Sequence, residues 1–142
     1  MPTTKDLRIV VDTNVFISAS LAEHSISRRA VFSIFNHGGT LLLSQEVLAE
    51  IEEVLNRSKL NKFSRQEDRI LFFRSLICEA EFINVSSRIT DCPDPKDNKF
   101  LELAVDGNAD YILSGDSDLI DLNPFKGIKI ISPGDFLKEP LG

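Results

Sequence analysis

Cysteine is scarce in this chain: the two present, Cys78 and Cys92, are too few for a disulfide framework and form no Cys-x-x-Cys pair. Cys78 falls in an apolar helical stretch and reads as a buried free thiol. Cys92 precedes Pro93 in a loop, where a reactive or metal-binding role is the less favoured reading. Unpaired cysteines fit a cytoplasmic address. Histidine is equally rare, so no His/Cys cluster points to zinc. His24 sits in a polar loop, and His37 precedes Gly38-Gly39 at a helix end, where partial positive charge is structurally favourable. Long apolar runs are missing too. Leu41-Leu42-Leu43 is far too short to cross a bilayer, and the start, Met1-Pro2-Thr3-Thr4-Lys5-Asp6, lacks the apolar stretch of a secretion signal. Repeats, low-complexity tracts and linkers are absent. The expectation from these absences is a soluble, intracellular protein.

What is present is ordinary globular composition, 42% hydrophobic and 27% charged. A length of 142 residues predicts one domain, 1–142, able to bury a real core. The net charge of −6, from 16 basic and 22 acidic residues, argues against binding nucleic acid by bulk electrostatics. It leaves room for an enzyme whose acids gather at a metal site.

Short β-branched runs alternate with amphipathic stretches. Strands are predicted at Arg8–Val11, Thr40–Leu43, Phe82–Val85, Tyr111–Ser114 and Ile128–Ile131. Ser27 is read as the cap of a helix to about Asn36, with Val31, Phe32 and Phe35 inward, and Ser44 as the cap of one to about Arg57. Ser64-Arg65-Gln66-Glu67 reads as a capping box opening a helix to about Ala80. Its stripe is Ile70, Phe73, Ile77 and Ala80, broadened by Leu71, Phe72 and Leu76. Asp94-Pro95 opens a helix ending near Gly107, and Ser132 starts a last short one. Strands separated by helices imply a three-layer α/β/α fold around a parallel sheet of about five strands. Ligands of such sheets bind beyond the carboxyl ends of the strands.

Several acids fall at that edge. Asp12 ends the first strand, where a cap and a site residue are both open readings. Glu50 borders the buried stripe of its helix, between Val47 and Val54; Glu46 and Glu52 compete for its role. Asp97 shares a helical face with Phe100, Leu101 and Ala104, and Asp94 is already the natural cap. A carboxylate so placed needs a partner or a metal. Asp116 and Asp118 follow the fourth strand in Ser114-Gly115-Asp116-Ser117-Asp118, a stretch that also suits a plain turn but lacks the later ligands of a calcium loop. Clustered carboxylates repel unless a hard divalent ion joins them, and Mg²⁺ or Mn²⁺ suits all-carboxylate ligation.

Four segments together resemble the PIN-domain family over the whole chain: Val10-Val11-Asp12-Thr13-Asn14-Val15, Ser44-Gln45-Glu46-Val47-Leu48-Ala49-Glu50, Asp94-Pro95-Lys96-Asp97-Asn98-Lys99-Phe100-Leu101-Glu102-Leu103-Ala104 and Ser114-Gly115-Asp116-Ser117-Asp118-Leu119. Ser114 stands where the family often has threonine; both supply a hydroxyl. The resemblance selects Glu50 over Glu46 and Glu52. It implies a metal-dependent ribonuclease using Mg²⁺ or Mn²⁺, with Asp12, Glu50, Asp97 and Asp116 catalytic and Asp118 a fifth metal ligand. Asn14 and Ser114 would orient ligands from behind. VapC-like members further imply a toxin blocked by an antitoxin protein, and a homodimer or higher oligomer. Arg28, Arg29, Lys59, Lys62, Arg65, Lys96 and Lys99 read mostly as solvated surface, with guidance of the RNA backbone the alternative. Two other readings stay open. One is a PIN fold that binds RNA or a partner without cutting. The other is a haloacid-dehalogenase-like phosphohydrolase, against which Asn14 stands where that family wants a second aspartate.

Overall fold

The computed structural model describes residues 6–141, so the reading of a missing secretion signal on residues 1–5 lies outside it. Five strands form one parallel sheet: β1 (Arg8–Val11), β2 (Thr40–Leu43), β3 (Glu81–Phe82), β4 (Tyr111–Leu113) and β5 (Lys129–Ile131), in the order β3-β2-β1-β4-β5. The helices are α1 (Thr13–Leu21), α2 (Ile26–Asn36), α3 (Gln45–Leu55), α4 (Gln66–Ile77), α5 (Asn98–Asp106), α6 (Ser117–Ile120) and α7 (Pro133–Leu137). Single 3₁₀ turns at Ser58–Lys62 and Pro95–Asp97 precede α4 and α5.

The expected three-layer α/β/α architecture is what forms. Ile9, Val10 and Val11 are all buried although alternate residues face opposite sides of the sheet, so helices must cover both. α5 packs on β1, β2 and β4, while α1 packs among α2, α3 and α4. The chain reverses the order of strand addition at β1, which β2 and β4 flank, leaving a crevice at its carboxyl end. Among the described residues no helix is long and apolar enough to cross a membrane.

Several local expectations are corrected. α1 is an additional helix: Val15, Phe16, Ile17 and Ala19 are buried nearly all round, which erases the one-sided stripe by which helices are read. Ser25, not Ser27, caps α2, accepting from the Arg28 amide at 3.1 Å. Phe32 is exposed and meets Phe72 edge to face, while Ala30, Val31 and Ile34 fill the core. β3 spans only Glu81–Phe82. Leu71 lies on the surface, and Cys78 is exposed where Cys92 is buried.

The capping box does not form. Ser64 Oγ is buried without a hydrogen-bond partner, and α4 begins after Arg65 without a side-chain cap. What organises this corner is Arg69, fully buried on α4. Its guanidinium donates to the carbonyls of Leu55 (3.0 Å), Ser64 (2.6 Å) and Arg57 (3.4 Å) and to Asn61 Oδ1 (3.1 Å). A buried cation thus gathers the free carbonyls at the end of α3 and in the following turn; all four acceptors are neutral, so hydrogen bonds rather than an ion pair offset its desolvation.

Gly107, closing α5, shows why that end admits no side chain. A Cβ there would lie 2.7 Å from Leu42 Cδ1 and 2.9 Å from the Leu103 carbonyl oxygen.

Candidate active site

β1 delivers Asp12 to the carboxyl edge at the switch in strand order. Its amide donates to the Leu113 carbonyl at 3.0 Å, extending the pairing of β1 with β4 by one residue. Oδ1 accepts from the Val15 amide at 2.9 Å and so caps α1. Oδ2 accepts from the hydroxyl of Ser114, which directly follows β4. Asp12 is therefore both a cap and a cleft residue. Burial pushes its carboxyl above the usual range, the Ser114 and Val15 hydrogen bonds pull it back, and Asp116 and Glu50 push it up again.

Ser114 is fully buried and joins two acids. Its hydroxyl donates to Asp12 and its oxygen accepts from the Asp116 amide at 2.9 Å. Asp116 in turn caps α6, Oδ1 accepting from the Asp118 amide at 2.9 Å.

Asp97 enters from the turn before α5. Asp94 caps that turn, accepting from the Lys96 amide at 3.0 Å. Asp97 occupies the cap position of α5 but makes no capping bond. Its Oδ2 is buried with no hydrogen-bond partner. Burial, then the neighbouring Asp116 carboxyl, then Asp94 and Asp12, push it up to about 7. Ligand oxygens of Asp97, Asp116 and Asp118 lie within 4.8 Å of one another.

Glu50 reaches the same place from α3 but in a different state. Lys99 Nζ donates to Oε1 at 2.6 Å and the Thr13 hydroxyl to Oε2. Asp12, Thr13, Asn14, Glu50, Asp97 and Asp116 all line one open cleft of about 390 Å³. Glu46 lines a separate depression beside β3, and Glu52 lies away from both. Glu53 also borders the cleft, where Arg57 pairs with it at 3.0 Å.

The structure thus brings Asp12, Glu50, Asp97, Asp116 and Asp118 to one edge, from β1, α3, the α5 entry and the turn after β4. Thr13 and Lys99 are residues that sequence reasoning missed here. Thr13 stands next to Asp12 and carries no pattern of its own. For Lys99 the sequence offers solvated surface or guidance of the RNA backbone, yet its side chain is only 13% exposed and bonded to Glu50.

The acids fit a hard divalent ion on two grounds. An orphaned, buried carboxylate oxygen at Asp97 lacks the partner that burial demands. Three carboxylates also converge closely enough to share one cation, which would relieve their mutual repulsion.

Comparison with known proteins agrees. The family model described as PIN domain matches residues 8–118. The chain is 32% identical, over 142 aligned residues, to the uncharacterized protein MJ1680 of Methanocaldococcus jannaschii, covering 94% of this chain and 91% of that protein. Its fold resembles the crystal structure of VapBC2 from Rickettsia felis bound to a DNA fragment from their promoter, with TM-score 0.57 and 15% identity over 87% of this chain and 97% of that one. It also resembles PAE2754 from Pyrobaculum aerophilum, with TM-score 0.55 and 12% identity over 96% and 97% of the two chains.

Proposed function

Since the chain belongs to the PIN-domain family, we propose that it is a ribonuclease dependent on Mg²⁺ or Mn²⁺, with Asp12, Glu50, Asp97 and Asp116 as its catalytic acids. The observation that carries this reading is the convergence of these acids in one cleft around an unpartnered Asp97 oxygen. Asp97, Asp116 and Asp118 would hold the ion, with Asp12 beside them. When bound, such an ion supplies Lewis acidity toward a phosphodiester and activates water for attack on phosphorus.

The protein's own residues set the stage for that chemistry. Ser114 fixes Asp12 in one rotamer and, through the Asp116 amide, ties both acids to the end of β4. Thr13 and Lys99 fix Glu50 from two sides. Asp12, Glu50, Asp97 and Asp116 line a cleft of about 390 Å³ that is not enclosed, so a phosphodiester can reach them from solvent. Lys96, exposed on its rim, offers positive charge to a phosphate backbone.

We further propose a cytoplasmic toxin that assembles as a homodimer or higher oligomer and is blocked by an antitoxin protein. The VapBC2 neighbour supports this at the level of fold.

The test is cleavage of labelled single-stranded RNA by the purified protein with Mn²⁺, with EDTA, and with Asp97→Asn. Metal-dependent cleavage lost in both controls is expected. Intact RNA under every condition, with Mn²⁺ binding retained, would overturn catalysis and leave a PIN module that binds without cutting.

A further inference from the structure

Of the five acids proposed for the centre, Glu50 alone is ion-paired among the described residues, to Lys99 at 2.6 Å. Glu50 lines the cleft, Lys99 does not, and the pair is largely shielded, with side-chain exposures of 13% for Lys99 and 26% for Glu50. The Thr13 hydroxyl engages the other Glu50 oxygen, so the carboxylate is held at both ends. Lys99 stands in the first turn of α5, two residues beyond Asp97. A partly desolvated ammonium in contact with a carboxylate is a compact, fixed positive charge. It is held by Glu50, whereas no protein cation pairs with Asp97, Asp116 or Asp118 among the described residues. A divalent ion ligated by Glu50 Oε1 would have to compete with the ammonium for that oxygen. One held by the three aspartates meets no such competitor.

We propose that Lys99 is a positioning residue, the resident counter-cation of Glu50, so that the cleft takes one divalent ion, on the side of Asp97, Asp116 and Asp118. This rests on the metal-centre reading above. Glu50 then faces the substrate as a catalytic acid without ligating the ion itself, and Lys99 does the work of a second cation without depending on free metal.

The experiment is titration of Mn²⁺ into the metal-free full chain, read by calorimetry and by loss of the free-ion paramagnetic resonance signal. One ion is expected for the parent, two for Lys99→Met, and one again for Lys99→Arg, which restores the charge. Glu50→Gln should still bind one ion, weakened by less than about tenfold, the lower end of what loss of a supporting group does to a metal site. Two ions in the parent, one ion in folded Lys99→Met, or loss of the parent's ion in Glu50→Gln would each overturn the inference. Because the last measurement does not involve Lys99, the proposal stays testable if Lys99→Met misfolds. No binding by the parent or any variant would instead overturn the metal reading itself, and this inference with it.

Discussion

Replacing Asp97 with asparagine should stabilise the metal-free protein while removing its response to Mn²⁺. The perturbation takes away one charge and keeps the shape of the side chain. In the native cleft, burial and the adjacent Asp116 carboxyl hold Asp97 at about 7, against an ordinary value of 3.8. The folded state therefore binds a proton more tightly than the unfolded chain. Between roughly pH 4 and 7, stability falls as pH rises, and above that window the full penalty is present. A completely shielded group would contribute about 4 kcal/mol. Asp97 is half-buried at an open cleft, so water screening reduces the figure to about 1–2 kcal/mol. For a chain of this size that corresponds to a rise of about 3–6 °C in Tm. Thermal unfolding should be followed in EDTA near pH 8 and pH 5, then with Mn²⁺. The parent should melt higher at pH 5 than Asp97→Asn would predict from its pH 8 advantage, so that the two curves converge. Mn²⁺ at about a hundred times its Kd should stabilise the parent by about 2.7 kcal/mol and leave the variant unmoved. A variant no more stable than the parent at pH 8 in EDTA would refute the electrostatic reasoning; a retained Mn²⁺ shift would refute the ligand assignment.

Arg69→Met should cost about 3 kcal/mol in urea unfolding, because carbonyls of Leu55 and Ser64 lose buried donors. Arg69→Lys should recover little of it, since an ammonium cannot reach all four acceptors. Ser114→Ala should cut RNA cleavage by about 10-fold or more, as loss of a ligand-orienting group does, with circular dichroism unchanged; a parental rate would show that Asp12 needs no anchor. Asp106 is held below the ordinary range by the Ser87 hydroxyl and the Ser86 and Ser87 amides. Its stabilising effect is present above about pH 4 and lost as pH falls through its lowered value. Asp106→Asn should flatten that acid limb of the stability profile, and an unchanged limb would count against the loop anchor.

The strands, the layered class and the acids at the sheet edge were legible because each rests on local pattern. Asp12 follows an apolar run, and Asp97 shares the helical face of Phe100 and Leu101. Long-range pairings left no such trace. Lys99 meets Glu50 across 49 positions, and a lysine among polar residues reads as surface until the fold closes over it. Arg69 misleads for the same reason. Ser64 carries the residue type and spacing of a cap, yet its carbonyl is held by Arg69 and its hydroxyl faces no amide. Cys78, expected to be buried, is exposed because it falls at the C-cap of α4, past the stripe that packs inward, whereas the loop at Cys92 is drawn inward by Asn98, which accepts from its amide at 2.9 Å.

Asp12 and Ser114 each follow a residue of the matched pair Val11 and Leu113. Their contact therefore exists in a single alignment of the two central strands. Lengthening either strand by one residue would turn one partner to the opposite face of the sheet. Inserted residues should then be tolerated in connections at the opposite edge, such as the turns at Gly38-Gly39 or Asn108-Ala109, and rejected between Ile9 and Asp12 or between Tyr111 and Ser114. A library of single-codon insertions would draw that boundary as a map of where this chain can change length and where it cannot.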